Sequence, residues 1–192
     1  MTVIAIDGTF SSGKGTLGKR LAAHYGLDYL DTGKLYRAAA HKVMRAGGDV
    51  ENAAEGARAA KALSKNDLDD PILKSGPVGA AASKIAVHKA VRAALFDFQR
   101  AFAARGAVLD GRDIGTVICP DADVKIYIDA EPEERARRRH LELTGYGEDI
   151  DYETVLVKPA ADAHLLDTTS LSIERAFAVA VGIVDAVLAT NN

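Results

Sequence analysis

Five short runs dominated by apolar residues punctuate the chain, at Thr2–Ile6, Leu27–Asp31, Ala107–Asp110, Val124–Ala130 and His164–Asp167. Each is too short for a helix and is followed by a polar or glycine-bearing turn. The stretches after them carry apolar residues at helical spacing. Leu17, Leu21 and Ala22 follow the first run, and a helix opens at Asp31-Thr32-Gly33, with Asp31 or Thr32 as its cap. Glu131-Pro132-Glu133-Glu134 places a proline and acids in a first turn. Ser172-Ile173-Glu174 starts a terminal helix whose Phe177, Val181, Val184 and Leu188 face the core. Alternating strands and helices predict an α/β fold, a five-stranded parallel sheet between helices.

Residues 38–83 break that alternation. Alanine-rich helical pieces, Ala38–Ala46 and Glu51–Leu63, alternate with Gly47-Gly48 and with the polar stretch SKNDLDDP, and Pro71, Gly76 and Pro77 punctuate the rest. This reads as a small helical lobe inserted into the core. SKND is similar to a guanine-reading N-K-x-D motif but follows no apolar strand, so it is discounted. Ala80–Ala104 reads as two helices meeting near His88, with Val91, Leu95, Phe98 and Phe102 as one core stripe. Gly145 and Gly147 break the helix begun at Pro132, and Tyr152–Val157 reads as a further short helix.

A chain of 192 residues predicts one compact domain with small mobile inserts. A net charge of -3 makes a nucleic-acid polymer an unexpected partner. The lone cysteine, Cys119, cannot form an internal disulfide and fits a core position in a reduced, cytoplasmic setting. The chain enters a strand at once, so no signal peptide is expected, and no run of about 18 apolar residues predicts a membrane span. The five histidines show no metal-ligand spacing.

The candidate chemistry begins after the first strand. GTFSSGK places Gly8, Gly13 and Lys14 in the G-x-x-x-x-G-K phosphate-binding pattern, between a strand and a helix. Such a loop points successive backbone N–H groups at phosphates, and the helix N-terminus aims its dipole at the same anion. Lys14 reaches the β/γ phosphates. Gly15 stands where a Ser or Thr usually follows the lysine, so the hydroxyl of Thr16 comes one place late as a magnesium ligand. Asp110 ends an apolar strand, as a residue that holds Mg²⁺ through water does. Arg112 and Asp113 lie between Gly111 and Gly115, which suggests a turn shaped against a ligand. Arg135, Arg137, Arg138 and Arg139 crowd one helix, with Arg135 and Arg139 on a common face suited to phosphate. Thr32, Tyr36 and Arg37 follow the second strand at the sheet edge where ligands bind in this architecture. Arg92, beside an apolar stripe, reads on its helix alone as a solvated surface residue.

The segments GTFSSGKGT, DTGKLYR, VLDGRDIGTVICPDADVKIYIDA, EERARRR and LLDTTSLSIE resemble those of bacterial cytidylate kinases. The resemblance implies a P-loop core (residues 1–37, 84–134 and 160–192), a nucleoside-monophosphate-binding insert (38–83) and an arginine-bearing lid (135–159). It implies transfer from ATP to CMP or dCMP with Mg²⁺. Gly8, Thr9, Phe10, Ser11, Ser12, Gly13, Lys14, Gly15, Thr16 and Arg135 would bind ATP. Thr32, Tyr36 and Ser83 would line the CMP pocket, Arg37 and Arg112 would hold its phosphate, and Arg92 and Asp113 would read the cytosine edge. Lys14, Arg112 and Arg139 would act on the transferring group, and Thr16 and Asp110 on the metal. A monomer working on free nucleotides is expected, without nucleic acid or membrane.

Two departures from the family pattern stand out. Thr32 replaces a serine and keeps the hydroxyl. The family also carries an R-D-x-R-D-x-x-R kind of lid segment before the P-A-A-D-A turn, where Leu156-Val157-Lys158-Pro159 here passes straight through. Either the lid is truncated, with binding retained and transfer slowed, or a segment is missing from the sequence; the good match on both sides favours the second. The alternatives are another small-molecule P-loop kinase, of adenylate or shikimate type, against which the GRDIGTV block argues, and a nucleotide-dependent switch, which would need a convincing N-K-x-D or a strand ending in Asp-Glu.

Overall fold

The computed structural model describes residues 1–144 and 158–190. The elements in order are β1 (Val3–Gly8), α1 (Lys14–Tyr25), β2 (Asp28–Asp31), α2 (Thr32–Arg45), α3 (Ala53–Lys61), α4 (Gly76–Ile85), α5 (Lys89–Ala103), β3 (Ala107–Asp110), β4 (Val124–Asp129), α6 (Pro132–Thr144), β5 (His164–Asp167) and α7 (Ile173–Thr190). Short 3₁₀ turns occupy Lys65–Leu68 and Pro71–Lys74, and a π-type turn spans Ile114–Ile118. The chain forms two compact units, Met1–Leu30 with Phe102–Asn192, and Asp31–Ala101. The expected break at Gly145–Gly147 and helix at Tyr152–Val157 lie outside the described residues.

The first unit is built on a five-stranded sheet in the order β2-β3-β1-β4-β5. β1 pairs in parallel with β3 and with β4, and β4 in parallel with β5, as the strand–helix alternation predicts. Side chains alternate across the sheet. Ile4 and Ile6 of β1 share one buried cluster with Val108, Val124, Ile126 and Ile128. Leu17, Leu21 and Ala22 of α1, Leu166 of β5 and Ala176, Ala180 and Val184 of α7 complete it. Helix α7 turns its expected residues to the core and adds two alanines to the buried seam. Its buried seam runs Ala176, Ala180, Val184, while Phe177, Val181 and Leu188 are only partly buried at the margin. Alanine lets the helix backbone approach the sheet more closely than a phenylalanine would.

The second unit is helical. Asp31 caps α2 by accepting the N–H of Lys34 at 3.3 Å, and the helix then runs unbroken to Arg45. Leu35, Ala38, Ala39, Ala40 and Val43 are its buried face, and it packs against α3 and α4. The SKND segment is a capping box. Ser64 N–H and Oγ both donate to Asp67 Oδ2 at 2.7 Å, which holds the Asp67 carboxyl down at about 2. α4 starts earlier than Ala80, at Gly76, with Pro77 in its first turn. In α5 the buried stripe begins with Val91 and Leu95 as expected, then continues through Gln99 and Ala103, leaving Phe98 and Phe102 half-buried. Gln99 tolerates burial because its amide donates to the Leu95 carbonyl at 2.9 Å. No described helix is long and apolar enough to cross a membrane.

Candidate functional site

The loop between β1 and α1 closes on itself. Lys14 Nζ and Ser12 Oγ both donate to the carbonyl of Thr9, at 2.6 and 2.9 Å. Thr9 Oγ1 donates to Asp129 Oδ1 at 2.6 Å, pinning the loop to the end of β4. The glycines do the work the motif requires. A Cβ on Gly8, at φ 149°, would lie 1.9 Å from the Ile128 carbonyl oxygen, and Gly13, at φ 95°, turns the chain into α1. Ser11 adopts φ 55°, and its buried hydroxyl has no partner. An orphaned hydroxyl in a glycine-rich loop before a helix N-terminus suits a phosphate oxygen.

Gly15 faces the end of β3. A Cβ there would lie 3.5 Å from Asp110 Oδ2 and 3.6 Å from the Tyr29 hydroxyl, which itself donates to Asp110 Oδ2 at 2.5 Å. The direction in which a serine or threonine would project after Lys14 therefore already meets a hydroxyl, supplied from β2. Asp110 is buried, and Thr16 is exposed on α1. Among the described residues no three His, Cys, Asp or Glu side chains gather into a metal nest. An ion that arrives on a nucleotide needs none, because phosphates and water supply most of its ligands.

The GRDIGT block forms the π-type turn, with Arg112 exposed and Asp113 half-buried just before it. Asp7, absent from the sequence-based candidates, anchors that turn. Its Oδ1 accepts the N–H of Ile114 and its Oδ2 that of Gly115, both at 2.7 Å. Burial is the main force pushing the Asp7 carboxyl upward, and the Asp113 charge adds to it; the two amides and Lys14 pull the other way.

The arginines of α6 divide. Arg137 pairs with Glu134 at 2.7 Å, and with Arg138 it holds the Glu134 carboxyl at about 2. Arg135 Nε donates to the Ala130 carbonyl at 2.9 Å. Arg138 reaches furthest. Its Nη2 donates to the Thr168 carbonyl at 2.6 Å and its Nη1 to Thr168 Oγ1 at 3.0 Å. The buried Thr168 hydroxyl also lies 2.9 Å from the Ser12 carbonyl and 3.0 Å from that of Asp129. Phosphate loop, β4 end and β5 end thus meet on one threonine. The side chain of Arg139 lies outside the described residues, as does the lid over 145–157.

In the second unit, Thr32 is buried at the start of α2, and Tyr36 and Arg37 are half-buried one turn on. Arg37 Nη1 donates to the Leu73 carbonyl at 2.8 Å and lies across Gly79 of α4, 3.2 Å from where a Cβ would stand. Ser83, exposed one turn along α4, donates to the Gly79 carbonyl at 3.3 Å. Gly79 thus brings Arg37 and Ser83 to one patch. Its only sequence signal is a glycine inside a helix, where it costs stability unless something approaches closely. Arg92 sits on the exposed face of α5. Asp7, Tyr29 and Thr168 carry no local signal, since their partners lie 30 to 156 residues away.

A family model described as "Cytidylate kinase" matches residues 4–158. The chain is 52% identical over 206 residues to a cytidylate kinase of Rhodopseudomonas palustris, covering 97% of each chain. It is 50% identical over 207 residues to that of Afipia carboxidovorans, covering 98% of this chain and 99% of the other. Both aligned spans exceed the 192 residues present here, so these relatives carry residues with no counterpart in this chain. A crystal structure of a protein from Eubacterium ventriosum shares the fold, with TM-score 0.53 at 15% identity over 96% of this chain and 99% of that one.

Proposed function

The chain belongs to the cytidylate kinase family, and from that premise we propose how its residues divide the family's reaction. It is a nucleoside monophosphate kinase that phosphorylates CMP or dCMP with ATP, giving ADP and CDP or dCDP. The observation that carries the residue assignment lies within one unit. The strand that opens the phosphate loop also holds, through Asp7, the turn bearing Arg112 and Asp113.

A phosphate oxygen of CMP attacks the γ-phosphorus of ATP, and the bond from that phosphorus to the β,γ-bridging oxygen breaks to release ADP. Catalysis is alignment and charge neutralisation, with no covalent enzyme intermediate. The loop from Gly8 to Thr16 cradles the triphosphate, and Lys14 leaves the Thr9 carbonyl for the β/γ oxygens. Arg37 and Arg112 neutralise the acceptor phosphate, while Thr32, Tyr36 and Ser83 line the nucleoside pocket. Asp113 accepts the cytosine amino group, and Arg92 donates to the ring acceptors. Uracil would turn an oxygen toward Asp113 instead, so CMP is preferred over UMP. Arg135 and Arg139 serve the donor phosphates from the lid, and residues 38–83 act as the acceptor-binding insert.

Magnesium fits this donor set. Asp110, a buried carboxylate beside the loop helix, would hold it through water, with the hydroxyl of Thr16, two residues after Lys14, as a further ligand. The ion would neutralise charge on the β and γ oxygens. We place the enzyme in the cytoplasm as a monomer acting on free nucleotides. The modest net charge of -3 and the buried single cysteine support that placement.

The unmatched residues of the relatives are assigned to the lid, before the P-A-A-D-A turn, where Leu156-Val157-Lys158-Pro159 passes straight through here. Loss of charge-stabilising arginines there would slow transfer by on the order of 10³ while sparing CMP binding. The deciding experiment is ADP release with ATP and Mg²⁺ against CMP, dCMP, UMP, AMP and shikimate. Turnover on CMP and dCMP alone supports the assignment. CMP binding without turnover identifies the shortened lid as a true loss. Activity on AMP or shikimate overturns the roles of Arg92 and Asp113.

A further inference from the structure

We propose that Asp7 is a positioning residue, which sets the Arg112–Asp113 turn in register with the phosphate loop and so aligns the acceptor phosphate with the donor. The inference rests on the acceptor role given above to Arg112 and Asp113.

Asp7 is the next-to-last residue of β1, directly before Gly8, and is 4% exposed. Its two oxygens take the first two amides of the turn, Ile114 and Gly115, at 2.7 Å each. It does for this turn what a capping residue does for a helix, but from a strand more than a hundred residues away in sequence. Binding phosphate gives no reason for a carboxylate here, since a negative charge beside an anion site repels its ligand. Burial and Asp113 both oppose its ionisation as well. A group kept against those costs is explained by the turn it holds.

The turn is also gripped from its other side. A Cβ on Gly115 would come within 3.1 Å of Lys125 Cδ and 3.3 Å of Asp7 Oδ2, so the backbone is seated between the two side chains. Lys125 cannot readily yield. Its ammonium donates to the Pro120 carbonyl at 2.7 Å and to Asp162 at 2.7 Å. Arg112 and Asp113, immediately upstream, are therefore referred to the same strand end as Lys14.

Asp7→Asn tests this with almost no change of shape. An asparagine can accept only one of the two amides and turns its own N–H₂ toward the other, so one hydrogen bond becomes a repulsion. Three readouts are expected. The kcat falls roughly 10- to 100-fold and the KM for CMP rises several-fold, while the KM for ATP stays within about twofold, because displacement near 1 Å is enough to spoil alignment. The amides of Ile114 and Gly115 exchange hydrogen at least about tenfold faster, while those of Ile4 and Ile6 in β1 do not. Gly115→Ala, which crowds the same turn from the backbone side, moves the kinetic constants in the same direction and replaces Asp7→Asn should that variant not fold.

Wild-type kinetics with unaltered exchange at Ile114 and Gly115 would overturn the proposal. Equal losses for ATP and CMP would also overturn it, since they would place Asp7 in the phosphate loop alone. The unmodified enzyme is assayed alongside. If it ignores CMP, the acceptor assignment fails and this inference with it; if it uses CMP and the variants match it, only the role of Asp7 fails.

Discussion

The Tyr29 hydroxyl donates a 2.5 Å hydrogen bond to Asp110 Oδ2, joining neighbouring strands β2 and β3 beside the helix that follows Lys14. The bond fixes one oxygen of the buried carboxylate and places the tyrosine hydroxyl where a Cβ at position 15 would touch it, at 3.6 Å. Tyr29→Phe is expected to raise the Mg²⁺ concentration for half-maximal activity several-fold. It should lower stability by about 1 kcal/mol, the usual net worth of such a bond. Magnesium titration of the initial rate and urea unfolding check the two effects. An unchanged Mg²⁺ requirement would separate Tyr29 and Asp110 from the metal.

Thr168→Val keeps the shape of a buried side chain but removes the hydroxyl bonds to Ser12, Asp129 and Arg138, leaving the main-chain ones in place. The carbonyls and the guanidinium left behind lose a partner, at a cost of about 1–3 kcal/mol in unfolding free energy. The KM for ATP should rise while that for CMP changes little, because the bonds brace the phosphate loop. A parallel rise in both constants would mean that Thr168 supports the whole unit rather than the loop.

Two substitutions separate donor from acceptor chemistry. Lys14→Ala is expected to abolish turnover while leaving the circular dichroism spectrum and unfolding midpoint near those of the parent. Asp113→Ala is expected to weaken CMP at least about tenfold more than ATP, the discrimination a lost base contact carries. ADP release and thermal unfolding check the first, and isothermal titration with each nucleotide checks the second. Equal weakening of ATP and CMP by Asp113→Ala would remove its base-reading role.

The pair between Lys125 and Asp162 gives a pH-dependent contribution of known sign. The Asp162 carboxyl lies below its ordinary value, chiefly through the hydrogen bond from Lys125. The ionised form is thus favoured on folding, and the stabilisation is present above about pH 4 and lost as pH falls through the folded value. Lys125 is 9% exposed but Asp162 is 67% exposed, so solvent screens the pair. Asp162→Asn should cost about 1 kcal/mol at pH 7, and the difference from the parent should shrink as the solution is acidified. A difference constant with pH in urea unfolding would assign the effect to packing.

The strands and the phosphate loop were legible because their signals are contiguous. Apolar runs of four to seven residues and the spacing of Gly8, Gly13 and Lys14 can be read within a single window. Helix faces were less legible where a polar residue finds a local partner. Gln99 is buried because its amide meets the Leu95 carbonyl, and α7 buries Ala176 and Ala180 rather than Phe177. Hydrophobicity ranks the larger side chains first, whereas close approach to a sheet selects the smaller ones.

By itself the sequence determined the order of elements, the phosphate loop and the resemblance that names the reaction, since each depends on residues near one another in the chain. Only the tertiary structure decided which side chains hold that loop and its neighbouring turn. Asp7 meets Ile114 and Gly115, Tyr29 meets Asp110, and Arg138 and Thr168 meet Ser12, because β1 lies between β3 and β4 with β2 and β5 outside them. Strand neighbours are chosen by burial over the whole sheet, and no local period encodes that choice.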